Sequence, residues 1–165
     1  MAIINFIDPL AALETLFLGK QEPNDATRLK AQQQVRAITE GRVYRGRKPG
    51  DNRRKDTILL SITGNIPEIV LSGEDDCTDT LVLVRCLSNS DYRAALLNEA
   101  VRQLITTYKG TVTAPDGDVV IGGIFLQDKD APEPEPPDDG APWFEFEYNS
   151  IWRIAHSQVS PTGFN

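Results

Sequence analysis

Residues 81–126 read LVLVRCLSNSDYRAALLNEAVRQLITTYKGTVTAPDGDVVIGGIFL. An apolar strand, an amphipathic helix and a second apolar strand follow one another, separated by sharp turn residues. Thr80 to Leu87 is nearly continuous in apolar side chains, the pattern of a central strand covered on both faces. Ser88, Asn89 and Ser90 offer helix N-caps, and Asp91 adds negative charge where the helix dipole favours it. Tyr92, Leu96, Ala100 and Leu104 then recur at helical spacing, with Leu97, Val101 and Ile105 widening the stripe. Such a helix packs its broad face across a sheet. Lys109-Gly110 is expected to end it. Pro115-Asp116-Gly117 marks a turn between Thr111-Val112-Thr113 and the strand Val119–Leu126. Gly122-Gly123 inside that strand predicts a bulge or a close backbone approach, and it lacks the following helix that a dinucleotide-binding turn requires.

Upstream, Asp8-Pro9 precedes Leu10, Leu13, Leu16 and Phe17, and Gly19 follows them. A capping aspartate, a proline at the first helical position and a terminal glycine predict a short helix. A second helix is expected from Asn24 or Asp25 to Thr39, with Leu29, Val35 and Ile38 inward and Gly41 closing it. Val43-Tyr44 can begin a strand before RGRKPGDNRRKD, which is loop by composition. Thr57–Thr63 reads as a strand, and Ile66–Leu71 extends it past the Gly64-Asn65 break. Residues 73–79, GEDDCTD, read as an acidic turn.

Downstream, residues 127–142 hold five prolines and six carboxylates, a composition that cannot build a core and predicts an exposed, extended loop. It is not a domain boundary, because only 23 residues remain beyond it. From Trp143 to Ala155, the side chains of Phe144, Phe146, Tyr148, Trp152 and Ile154 share one face. Glu145, Glu147, Asn149 and Arg153 lie opposite, a period of two. That alternation predicts a last strand with one side towards water or a partner. Residues 156–165 show no period and read as a mobile tail, with His156 at the surface of the frayed strand end. The fold class is α+β in a single domain, residues 1–165. A largely antiparallel sheet of about five strands is covered by one long helix, with one or two N-terminal helices.

Composition agrees. A chain of 165 residues with 40% hydrophobic and 25% charged residues can bury a core without disulfides or metals. Its net charge of -7 argues against attraction of the whole molecule to nucleic acid or anionic membranes. No apolar run reaches the roughly 20 residues of a membrane-spanning helix. The N-terminal stretch lacks a basic start and a small-residue cleavage site and carries Asp8, Pro9 and Glu14, so synthesis inside the cell is expected. Cys86, within an apolar strand, reads as a buried small hydrophobe. Cys77 follows carboxylates that would raise a thiol pKa, and no disulfide is expected.

Reactive constellations are missing from the pattern. His156 is the single histidine, with no second histidine or cysteine pair to complete a zinc site. No serine or cysteine sits in a nucleophile signature, and there is no phosphate loop. Glu74, Asp75, Asp76 and Asp79 match a hard-cation site in charge but not in EF-hand spacing. No enzymatic activity, metal or cofactor is expected.

The basic cluster carries more information. Arg42, Arg45, Arg47, Lys48, Arg53, Arg54 and Lys55 place seven of the chain's 17 cationic residues in 14 positions. In an acidic protein this makes a strongly polarised field. One reading is a solvated loop balanced by Asp51 and Asp56; the other is a loop that contacts DNA phosphates or an acidic patch on a partner. Tyr44 alone supplies an aromatic ring, so base recognition is not expected.

Taken in order, the helical start, GRVYRGR at residues 41–47, the strand TILLSIT, the strand-serine-helix unit at Val82–Ile105 and the closing FEFEYNSIWRI resemble a family. The chain, from about Ala11 to Ala155, looks like the tail-terminator or tail-completion proteins of long-tailed bacteriophages and related prophage particles. The resemblance implies a small α+β subunit of a ring, typically hexameric, that caps the head-proximal end of the tail tube and stops its polymerisation. Its partners would be other copies, the tail tube protein and a neck or connector protein, with DNA passing through the lumen and no membrane contact. It implies residence in the virion after assembly in the host cytoplasm, and no catalytic residues. The long basic loop and the proline-rich acidic insertion depart from the compact family pattern. A head-tail connector of the neck is the neighbouring alternative, and a non-viral binding module using its basic loop is a further one.

Overall fold

The computed structural model describes residues 8–46, 55–67, 77–115, 117–130 and 146–157. In chain order the elements are α1 (Pro9–Phe17), α2 (Ala26–Thr39), β1 (Val43–Arg45), β2 (Thr57–Pro67) and β3 (Cys77–Ser88). They continue with α3 (Asp91–Ile105), β4 (Gly110–Ala114), β5 (Gly117–Asp130) and β6 (Phe146–Ser157). The fold is α+β, with six strands in the order β1-β2-β3-β6-β5-β4. Every pairing is antiparallel except β1 with β2, which is parallel. The sheet holds six strands against the five or so expected, and Val43-Tyr44 does begin one, the short β1. Helix α3 carries the chain from the central β3 to the far edge at β4, and β5 and β6 fill the gap between them.

The helix ends follow local chemistry. Asp8 caps α1 by accepting from the Leu10 N–H at 3.0 Å, and Asp25 caps α2 by accepting from Thr27 at 2.7 Å. Ser90 is the N-cap of α3. The C-cap of α2 is Glu40, left-handed at φ 51°, and Gly41 follows at φ 83°. Helix α3 stops at Ile105, ahead of Lys109-Gly110. Thr107 turns left-handed there (φ 56°) and donates its N–H to Ile124 O at 2.9 Å, so Gly110 opens β4 instead of ending the helix.

One face of the sheet carries Ile58, Leu60, Val82, Val84, Cys86, Ile121, Ile124, Trp152 and Ile154, all packed in one core with α1, α2 and α3. The buried stripe of α3 is Ala94, Leu97, Asn98, Ala100, Val101, Leu104 and Ile105. Tyr92, expected to join it, is 74% exposed, and Leu96 is only half-buried. Side chains lean towards the helix N-terminus, so a first-turn residue projects beyond the covered surface. In α2, Leu29 is likewise half-buried, while Ala31 and Gln32 are buried beside Val35 and Ile38.

The strand details contain both agreements and corrections. Register shifts fall between Ile62 and Gly64 in β2 and between Ile121 and Gly123 in β5, where the glycines predict interruptions. A Cβ on Gly123 would lie 2.7 Å from the Phe125 ring, so the aromatic ring covers a position only glycine leaves open. β5 runs on through Asp130, so residues 127–130 are strand instead of loop. β3 begins at Cys77, so Asp79 lies in a strand and not in an acidic turn. β6 continues to Ser157, and His156 is buried at 4% exposure, which overturns its expected surface position. The remainder of the acidic loop, the 143–145 start of the last strand, the end of the Ile66–Leu71 extension and the tail beyond 157 lie outside the described residues.

Candidate interaction surface

Of the seven basic residues, Arg42, Arg45 and Lys55 fall among the described residues; Arg47, Lys48, Arg53 and Arg54 lie outside them. Arg42 bridges the end of α2 to the start of β2. Its Nε donates to Asp56 O at 2.9 Å, one terminal nitrogen lies 3.1 Å from Glu40, and the other donates to Ile38 O at 3.4 Å. Its backbone joins in, accepting from the Ile58 N–H at 3.0 Å. Arg45 reaches across to α1, where it pairs with Asp8 and Glu14. The hydrogen bond to Glu14, with Asp8 in support and burial opposing, raises its pKa further above the ordinary arginine value. The Lys55 side chain is exposed. Arg45 therefore fastens β1 to α1 through carboxylates brought from more than 30 residues away, while Arg42 pairs with the nearby Glu40 and ties the chain to the Asp56 carbonyl.

Asp56, which the sequence suggests as a counter-charge in a solvated loop, is buried at 5% exposure. Ser88, at the end of β3, donates its hydroxyl to Asp56, and Arg93 of α3 pairs with the same carboxylate. Ser88 Oγ also accepts from the Ser90 N–H at 3.1 Å. This knot closes the corner where β2 begins, β3 ends and α3 starts. Around it the surface presents Lys55, Tyr92 and the half-exposed guanidinium of Arg93. Asp91 on the same turn accepts from Tyr148 Oη at 2.7 Å, a hydrogen bond that, ahead of burial, raises the phenol pKa.

The sheet face opposite the helices is mixed in character. Leu81, Leu83 and Ile151 are half-buried there and Phe125 is 48% exposed. Two ion pairs cross the same face, Arg85 with Glu147 and Arg153 with Asp79. Asp79 is 3% exposed and receives the Arg153 Nε at 2.7 Å. A polar network on the helix side joins Gln32 to Leu16 O (2.8 Å) and Gln21 O (2.6 Å), and Gln21 to the backbone of β4. None of these partnerships is announced in the sequence, since the groups stand 11 to 92 residues apart and match no motif.

The Cys86 thiol is fully buried, and burial, reinforced by Glu147, pushes its pKa far up, so the nucleophilic thiolate is suppressed. Among the described residues no group of three His, Cys, Asp or Glu side chains could hold a metal ion, and no helix is long and apolar enough to cross a membrane. A partly open groove of about 470 Å³ lies between the ends of α1 and α2, lined by Leu18, Gln33, Arg36, Ala37, Glu40 and Gly41.

No family model and no curated protein matches the chain. Among solved structures, the fold is similar to that of a chain described as "Virion of native gene transfer agent (GTA) particle", with a TM-score of 0.53 and 10% sequence identity. The likeness covers 90% of this chain and 97% of that one, so this α+β fold is one that also occurs in a virion particle.

Proposed function

We propose that this protein is a structural subunit of a phage-like particle, of the tail-terminator type. It assembles as a ring that caps the head-proximal end of a tail tube and joins it to the neck. The observation that carries this reading is the fold likeness to a virion chain along nearly the whole length of both molecules. The order of elements that resembles tail-terminator proteins supports the finer assignment. In this reading the molecule works through its surfaces and performs no catalysis, and it resides in the virion.

A ring subunit uses two different, complementary surfaces that close by rotation. The charge distribution suits such contacts, with cations gathered at residues 42–55 and carboxylates at residues 127–142. In this reading the basic segment at residues 42–55 engages an acidic surface on an adjoining virion protein or DNA in the lumen, although Arg42 and Arg45 also have internal partners.

Native mass measurement combined with negative-stain imaging of the purified protein tests the reading. A ring, hexameric by family resemblance, that decorates the ends of tail tubes is the expected result. A ring that binds the portal and ignores tubes assigns the protein to the neck instead. A stable monomer that binds DNA tightly overturns both and favours a binding module.

A further inference from the structure

The outer edge of β4 is occupied by a side chain. Gln21 Nε2 donates to Thr111 O at 2.9 Å, and the Thr113 N–H donates to Gln21 Oε1 at 2.8 Å. One donor and one acceptor, set two residues apart along β4, are thereby satisfied by a single amide. A residue of a parallel neighbouring strand would bond the same two groups in the same way. The other edge of β4 is already paired to β5, from Gly110 with Ile121 to Ala114 with Gly117. Gln21 itself is anchored. Its backbone carbonyl accepts from Gln32 Nε2 at 2.6 Å, and Gln32, 2% exposed, uses the same nitrogen to hold Leu16 O. The short link between α1 and α2 is thus pinned beside the strand that ends the sheet.

An unpaired strand edge is a template for another chain, and folds that avoid edge pairing cover or interrupt it. The opposite edge of this sheet is β1, only three residues long, and a strand that short offers little to pair with. β4, with five residues, is the edge that needs covering. We propose that Gln21 is an edge guard: its amide stands in for a neighbouring strand and stops β4 from accepting the strand of a second copy of this chain. Copies then associate through faces and corners of the molecule and not by a sheet running from one subunit into the next. An open-ended fibre is disfavoured by the same device. The proposal concerns self-association alone and stands whether or not the protein caps a tail tube.

The test uses the full chain as wild type, Gln21→Ala, Gln21→Glu and Gln21→Ala combined with Thr113→Pro. Amide exchange at Thr113 reports the guard, and sedimentation velocity over a range of concentrations reports association. In Gln21→Ala, exchange at Thr113 is expected to accelerate about tenfold, the size of a lost hydrogen bond. Species larger than the wild-type assembly are expected to appear and to grow with concentration. Proline at position 113 removes the donor that an incoming strand needs, so the double variant is expected to return to the wild-type mass distribution. Gln21→Glu keeps an acceptor for Thr113 and loses the donor to Thr111. It is expected to show a smaller increase in association, and it reads the same edge if the alanine variant does not fold. Wild-type mass distributions in both single variants overturn the proposal, as does added association that persists in the proline double variant.

Discussion

Thr80 Oγ1 lies 2.8 Å from His156 Nε2 across the β3–β6 ladder, with both side chains buried. The second ring nitrogen, Nδ1, is buried with no hydrogen-bond partner among the described residues. Burial lowers the pKa of His156, and the carboxylates of Asp79 and Asp8 only partly offset it. The folded protein therefore favours the neutral ring.

The consequence is a loss of stability on the acid side of neutrality. Above the unfolded pKa of about 6.5 the ring is neutral in both states and imposes no penalty. As the pH falls below it, the unfolded chain takes up a proton that the folded chain resists, and stability declines until the lower folded pKa is passed. The urea midpoint of the wild type is expected to fall between about pH 7 and about pH 5.5. His156→Asn is expected to flatten that decline, and an unchanged slope in this variant would count against a buried neutral histidine.

Arg153 and Asp79 form an unequal pair. Asp79 is 3% exposed as a residue, whereas the Arg153 side chain is 44% exposed. Removing the arginine strands a buried carboxylate, while removing the aspartate leaves a guanidinium that water can reach. Arg153→Ala is therefore expected to cost about 2–3 kcal/mol and Asp79→Ala about 1 kcal/mol, read from urea denaturation at neutral pH. Equal costs would contradict the asymmetry.

Helix α3 offers a paired test of packing. Leu104 is fully buried and Tyr92 is 74% exposed, although both lie on the same predicted stripe. Leu104→Ala is expected to destabilise by about 2–5 kcal/mol through lost apolar burial and the cavity left behind. Tyr92→Ala is expected to stay within about 0.5 kcal/mol. Thermal or chemical unfolding of the two variants compares them directly.

Cys86 is expected to be silent towards thiol reagents in the native protein. In a Cys77→Ser background it is the sole cysteine, so labelling kinetics report it alone. Burial and the suppressed thiolate predict reaction only on unfolding, with a rate that rises with denaturant. Stoichiometric labelling under native conditions would show that the β3 core opens readily.

Much of the architecture was legible locally. Asp8-Pro9, Asp25 and Ser90 announce the helix starts, because a cap needs only the residues beside it. The paired glycines of β5 announce a bulge for the same reason. The period of two in β6 places Trp152 and Ile154 in the core. What stayed hidden depends on residues far apart in sequence. Arg45 reads as a free cation until Asp8 and Glu14 are brought to it, and Arg42 does so until the Asp56 carbonyl reaches it. His156 reads as a frayed end until β3 and β5 flank it, and Gln21 reads as a polar linker residue until β4 lies alongside.

The sequence by itself determined the elements and, Tyr92 excepted, the main inward positions of their faces, because propensity, capping and periodicity act over a few residues. Tertiary structure alone decided the strand order, the parallel β1–β2 pair, the burial of Asp56, Asp79 and His156, and the partners of each charged side chain. The physical reason is that desolvation and hydrogen bonding depend on which groups meet in space. In this chain hydrogen-bonded groups stand up to 92 residues apart.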